Sequence, residues 1–345
     1  MGRQIAVNRG EVRKSGEHSS TLRSAEKTGR ISAMRKELKI FTGNANPDLA
    51  EKIGEVLDIP VGEAEVTKFS EGETFVKIQE NVRGMDVFVV QPTCPQPNDN
   101  LMELLILIDA LRRASASRIT AVMPYYGYAR QDRKDQPRVP ITAKLVANLI
   151  TAAGADRVIS LDLHTDQIQG FFDIPVDNLY AAPVFVDEIK KMGLENITVV
   201  SPDVGGIKSA RSFAKRLNAE LAVVDKRRVN SKQAEVMNIM GDVEGKNIVL
   251  VDDIISTAGS VTEAAQALKN KGAKDIYCCI THPILVGLAM ERIKNSPIKT
   301  LFVSDSIPIG DKTGEKRIKV LSVAKLFGEA IKRIHKNESV SSLFI

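Results

Sequence analysis

From Lys39 onward, short runs of β-branched and aliphatic residues alternate with longer stretches in which apolar positions recur every three to four residues. The short runs predict strands over 38–42, 86–91, 118–123, 157–162, 197–201, 221–225, 247–253, 275–281 and 300–303. The helical spacing between them predicts helices over 47–57, 98–113, 142–153, 182–191, 205–217, 260–271 and 322–335. Such alternation builds parallel sheets with helices on both faces, an α/β fold. The units spanning 86–123 and 247–281 have similar layouts, so the chain reads as two related α/β halves, 38–181 and 182–345, joined near Tyr180 to Pro183. Residues 1–37 carry neither period. They are polar, rich in Ser, Arg and Gly, and are expected to form a disordered basic extension.

Composition narrows the function classes. With 345 residues, 43% of them apolar, the chain has enough material for one large core or two ordinary ones. The net charge of +5 is unevenly spread: residues 1–39 hold ten Lys/Arg against four Asp/Glu, so the remainder is close to neutral. A nucleic-acid surface would need cations clustered on the folded part, and no nucleic-acid partner is expected. No apolar run approaches the roughly 18 residues of a spanning helix, so no membrane partner is expected either. Cys94, Cys278 and Cys279 form neither a disulfide framework nor a metal-ligand spacing, which suits a reducing, cytoplasmic compartment. The N-terminal segment lacks the apolar stretch of a secretory signal, and Glu11, Glu17 and Glu26 argue against a transit peptide.

Open parallel sheets gather ligands outside the carboxyl ends of their strands. The residues to read for chemistry are therefore Asp162 and His164, Ser201 to Asp203, Asp225 to Arg228, and Asp252 to Ser260. In the last group an apolar strand ends in two carboxylates, Asp252 and Asp253. A loop of small and hydroxyl residues follows, Ser256, Thr257, Ala258, Gly259 and Ser260, and then a helix. Backbone N–H groups of such a loop, with the positive end of the helix, suit a phosphate, while the carboxylates suit sugar hydroxyls. The loop alone also fits a plain helix cap. Lys226, Arg227 and Arg228 are three successive cations that repel one another until an anion joins them, although a solvated charge run has the same composition. His164 is a candidate Mg²⁺ ligand, against the general preference of Mg²⁺ for oxygen. Arg130 and Gln131 follow a strand, where a guanidinium can stack on a base and pair with phosphate, or join a salt-bridged surface loop.

The 249–260 segment resembles the phosphoribosyl-binding motif of the phosphoribosyltransferase fold. Four further strings are similar to one branch of it: Phe69-Ser70-Glu71-Gly72-Glu73; Pro124 to Lys134, reading PYYGYARQDRK; Asp162-Leu163-His164 with Gln167 to Phe172; and Ser201-Pro202-Asp203. From about Leu38 to Phe344 the chain resembles the phosphate-regulated ribose-phosphate diphosphokinases, the phosphoribosyl pyrophosphate (PRPP) synthetases. The resemblance implies two phosphoribosyltransferase-like domains and conversion of ATP and ribose 5-phosphate into AMP and PRPP. It implies Lys226 and Arg228 as catalytic residues on a flexible loop, His164 and Asp203 as ligands of the Mg²⁺ on ATP, and Asp252, Asp253 and Ser256 to Ser260, with Arg228, as the ribose 5-phosphate site. Arg130 and Gln131 would bind ATP, together with Phe69, Glu71, Gly72 and Glu73 reaching in from a neighbouring subunit. A homo-oligomer with shared sites, typically a hexamer, is implied. Phosphate or ADP would act as effectors near Arg83, Arg138 and Ser339 to Ser341.

Most members of that family carry Asp and Thr where this chain has Ser256 and Ser260. Loss of one carboxylate beside the sugar phosphate leaves a second reading open, a non-catalytic regulatory paralogue. A third, an ordinary phosphoribosyltransferase, explains the 252–260 loop but neither the segments near Phe69 and Arg130 nor the second half. No Walker A spacing is present.

Overall fold

A computed structural model describes residues 37–227 and 236–343. The extension expected at 1–37 therefore lies outside the described residues except for Glu37, and so does Arg228. Strand β1 (Leu38–Thr42) leads into helix α1 (Pro47–Leu57), whose first turn is closed by Asn46: its side-chain oxygen accepts from the Leu49 amide at 3.3 Å. A hairpin, β2 (Ala64–Lys68) and β3 (Thr74–Ile78), comes next. Then β4 (Asp86–Val90), α2 (Pro97–Arg113), β5 (Arg118–Met123), α3 (Thr142–Ala153), β6 (Arg157–Leu161) and β7 (Val176–Leu179) complete the first sheet, in which β1-β4-β5-β6-β7 are all parallel.

The second sheet opens after α4 (Ala182–Lys191). Its elements are β8 (Ile197–Ser201), α5 (Ile207–Leu217), β9 (Glu220–Arg227), β10 (Val236–Met240), β11 (Asn247–Ile255), α6 (Gly259–Asn270), β12 (Ile276–Pro283), α7 (Ala289–Lys294), β13 (Ile298–Ser304), β14 (Ile318–Leu321) and α8 (Ala324–His335). The order is β10-β9-β8-β11-β12-β13-β14, parallel except for the antiparallel pair β9/β10. Every residue of β4 and of β12 is buried, which is why Val87 to Val90 and Ile276 to Ile280 read as apolar runs: helices cover parallel sheets on both faces.

One apolar cluster is common to both sheets. Ile40, Phe88, Val122 and Ile159 from the first and Val249, Val251, Tyr277 and Phe302 from the second belong to it, along with Phe327, Ile331 and Ile334 of α8. α8 crosses back to pack on α1, and the approach is close: a Cβ on Gly328 would lie 2.6 Å from Val56 Cγ1, so a side chain there would force the helices apart. Below this contact Asp86, almost fully buried, accepts from Arg118 Nε at 2.7 Å and meets His335 Nδ1 at 2.8 Å, while Arg118 also donates to the Ile334 carbonyl at 3.0 Å.

In β5 the Thr120 hydroxyl is fully buried and has no hydrogen-bond partner among the described residues. Thr120→Val keeps the shape and removes the desolvated group. It is expected to stabilise the fold by about 0.5 to 1 kcal/mol, read as a higher denaturant midpoint at unchanged slope. A loss above about 1 kcal/mol would show that the hydroxyl has a partner after all.

The expected bounds 38–42, 118–123, 197–201, 47–57, 142–153 and 182–191 coincide with observed elements. The strand expected at 221–225 continues to Arg227 because β10 pairs with it, Met237 opposite Lys226. Sequence periodicity missed β7, β10, β14 and α7 outright, and the expected strands include none over the β2–β3 hairpin.

Candidate active site

The carboxyl ends of β5 and β6 from the first sheet and of β8, β11 and β12 from the second open on one cavity of 1020 Å³. Arg130, Gln131, His164, Asp203, Asp252 and Asp253 all wall it, so six residues chosen from strand ends and motifs come together across the two sheets. Asp203 follows β8, and its carboxylate accepts from the Gly206 amide at 2.9 Å, fixing the turn into α5. Gln131 is held by three contacts: its amide donates to the Tyr128 carbonyl at 2.9 Å, its carbonyl accepts from the Ala143 amide at 3.2 Å, and its side-chain oxygen accepts from Thr142.

His164 and Asp253, 89 residues apart, meet with Nδ1 2.7 Å from Oδ2. The hydrogen bond to Asp253 raises the His164 pKa against the opposing effect of burial. For Asp253 burial works upward, but the hydrogen bond and charge of His164 prevail and hold it below the usual carboxylate value. Asp252 is pushed well above that value, first by burial and then by the charge of Asp253. The adjacent acids thus differ, one ionised and its neighbour inclined to keep a proton. The His164–Asp253 attraction is complete between the ordinary carboxylate and imidazole values. It fades as pH rises through the raised His164 value or falls through the lowered Asp253 value.

Behind this pair lies a polar seam that strand-end reading only partly foresaw. Asp162, half-buried and with φ 37°, accepts from Thr281 Oγ1 at 2.6 Å and the Ala181 amide at 3.1 Å; desolvation of its carboxylate lifts its pKa to about 6. His282, buried, has Nε2 3.0 Å from the Leu161 carbonyl and Nδ1 3.0 Å from Ser306 Oγ. Burial lowers its pKa and so favours the neutral ring, with Nε2 donating to the Leu161 carbonyl. Thr281 and His282 are polar residues closing a buried strand, a signal that would have singled them out.

The 256–260 loop does not wall the cavity; it continues from β11 beyond Asp253 into α6. Ala258, the residue before the helix, has φ 63° and no capping side chain, so the first turn of α6 is open to an external acceptor. Phe69, Glu71, Gly72 and Glu73 sit on the β2–β3 turn, where the Gly72 amide donates to the Phe69 carbonyl at 2.9 Å with Gly72 at φ 97°. They do not wall the cavity of their own chain. The Lys226 backbone lies in β9; Arg228 is outside the described residues. Arg83 and Arg138 are exposed, and Ser341 opens a short 3₁₀ turn.

Among the described residues no three His, Cys, Asp or Glu side chains gather as a cage for a metal ion. His164 and Asp203 could supply two ligands to an ion whose other ligands are phosphate oxygens and water, the way Mg²⁺ is commonly held with nucleotides. No helix among the described residues is long and apolar enough to cross a membrane.

Residues 38–154 match the model of the N-terminal domain of ribose phosphate pyrophosphokinase, and residues 227–345 that of the phosphoribosyl synthetase-associated domain. The chain is 57% identical to a ribose-phosphate pyrophosphokinase of Campylobacter jejuni over 89% of its own length and 99% of the relative's. It is 55% identical to one of Thermosipho africanus, covering 90% and 98%. The crystal structure of phosphoribosylpyrophosphate synthetase from Mycobacterium smegmatis superposes with a TM-score of 0.84 at 41% identity, over 88% of this chain and all of that one.

Proposed function

The chain belongs to the ribose-phosphate pyrophosphokinase family, and from that membership we propose how its residues move the β,γ-diphosphate of ATP onto the anomeric hydroxyl of ribose 5-phosphate. One observation carries the reading: the nucleotide candidates Arg130 and Gln131, the ligand candidates His164 and Asp203, and the acids Asp252 and Asp253 share one cavity. The phosphate loop continues from the strand that bears those acids.

In this reading the 256–260 loop takes the 5-phosphate on backbone N–H groups at the start of α6. Asp253, held ionised by His164, accepts from a ring hydroxyl, and Asp252 orients the neighbouring one, which leaves C1 facing the nucleotide. Arg130 and Gln131 hold the adenosine end, joined by Phe69, Glu71, Gly72 and Glu73 of a neighbouring subunit. Mg²⁺, bound through His164 and Asp203, would neutralise polyphosphate charge. Lys226 and Arg228 meet the β-phosphate as negative charge builds there; such transfers depend mainly on positioning and neutralisation. A cytoplasmic homo-oligomer, a hexamer, with phosphate or ADP acting near Arg83, Arg138 and Ser339 to Ser341 belongs to the same proposal. Ser256 offers a hydroxyl donor to phosphate oxygens.

The nucleotide product tests the reading. With Mg-ATP and ribose 5-phosphate the purified chain should release AMP in step with PRPP, because attack at the β-phosphorus expels AMP. ADP as the main sugar-dependent product would overturn it, and ATP left intact would point to a non-catalytic paralogue.

A further inference from the structure

We propose that Arg292 is a positioning residue for ribose 5-phosphate, acting by holding the phosphate loop in its binding conformation from behind. The proposal rests on the reading that the 256–260 loop takes the 5-phosphate. Three successive carbonyls, the last of β11 and the first two of this loop, are engaged by the segment after β12: the Leu285 amide donates to Ile255 O at 3.1 Å, the Val286 amide to Ser256 O at 3.0 Å, and Arg292 Nη1 to Thr257 O at 2.9 Å. All three peptides are trans, and in a trans peptide the C=O and the following N–H point in opposite directions. Fixing the carbonyls toward residues 285–292 therefore turns the N–H groups of Ser256, Thr257 and Ala258 to the opposite side, where an anion can collect them.

Arg292 does the part of this that backbone cannot. The two amide contacts prolong the pairing of β11 with β12, which ends at Ile255 opposite Pro283. The third peptide lies beyond the reach of that ladder, and it leads into Ala258, whose left-handed conformation an alanine does not favour. Without a donor on Thr257 O this peptide is free to rotate, and the Ala258 N–H would leave the cradle. Arg292 is an exposed residue held at its base by a buried helix face. It projects from α7, whose Ala289 and Ile293 are buried, and it lies against the start of α6, 3.4 Å from where a Cβ on Gly259 would stand.

The test is steady-state kinetics of Arg292→Ala and Arg292→Lys, each substrate varied in turn, with Ser260→Asp as a companion. Arg292→Ala should raise KM for ribose 5-phosphate about 10- to 30-fold, with kcat and KM for ATP changed less than about three-fold, the size expected for one charge-assisted hydrogen bond. Arg292→Lys, which keeps a charged donor, should recover part of that loss. Equal losses in both KM values, or a fall in kcat alone, would overturn the proposal. So would an unchanged KM for the sugar phosphate, or a lysine variant no better than alanine. If the alanine variant does not fold, the lysine variant carries the decision by the same KM split. Ser260→Asp places a carboxylate where the phosphate would sit and should raise the same KM whatever Arg292 does. If Ser260→Asp has no effect, the loop reading fails; if only the Arg292 variants have none, that reading stands and this proposal falls.

Discussion

Lys226→Ala is expected to lower kcat by about 10² to 10⁴ while KM for ATP stays within a few-fold. β9 carries Lys226 close to the strand's end, opposite Met237 of β10, and Arg227 and Arg228 follow at once. Three neighbouring cations are costly to hold together unless a polyphosphate joins them. In the proposed mechanism their strongest partner is the charge on the β-phosphate during transfer, and an interaction made only in the transition state appears in kcat. Lys226→Arg keeps the charge but changes its shape, and should fall between alanine and the natural residue. The measurement is initial rate of AMP release at saturating ATP and ribose 5-phosphate. Alanine turnover close to the natural rate would remove Lys226 from the mechanism.

Asp86→Ala should destabilise the fold by about 3 to 5 kcal/mol, because it leaves two cationic or hydrogen-bonding partners facing a buried void. Asp86 is 1% exposed and lies opposite Arg118 in the β4/β5 ladder, with His335 at the end of α8 as the third member. Asp86→Asn keeps one acceptor and should lose less. Denaturant midpoints at a single fixed protein concentration check this, since assembly would otherwise shift them. A change below about 1 kcal/mol would mean that the network relaxes to solvent without cost.

The elements legible in the sequence were those whose burial is simplest. β4 and β12 are buried throughout, so their apolar runs stand out, and α1 and α8 show a clean buried stripe. The missed strands lie elsewhere: β7 at an edge of the first sheet, β10 and β14 at the two edges of the second, and the isolated pair β2/β3. Such strands are half solvated, and Val176-Asp177-Asn178-Leu179 or Ile318-Lys319-Val320-Leu321 carries too little alternation to register. At the site, strand-end reading found His164 and Asp253 separately, but their pairing follows from docking one sheet against the other. Arg292 was missed because its contact is to a backbone carbonyl, which leaves no trace in residue type.

The docking of α8 on α1 has a consequence for how the chain is made. Synthesis runs from the N-terminus, and at about 5 to 20 residues per second tens of seconds separate translation of α1 from that of α8. During that interval the apolar faces of Ile40, Leu49, Ile53 and Phe88 exist without the helix that covers them. A nascent chain stalled before Ala324 would present a greasy surface to solvent. Chaperone binding that rises with such stalls and vanishes once α8 has been released would be the signature.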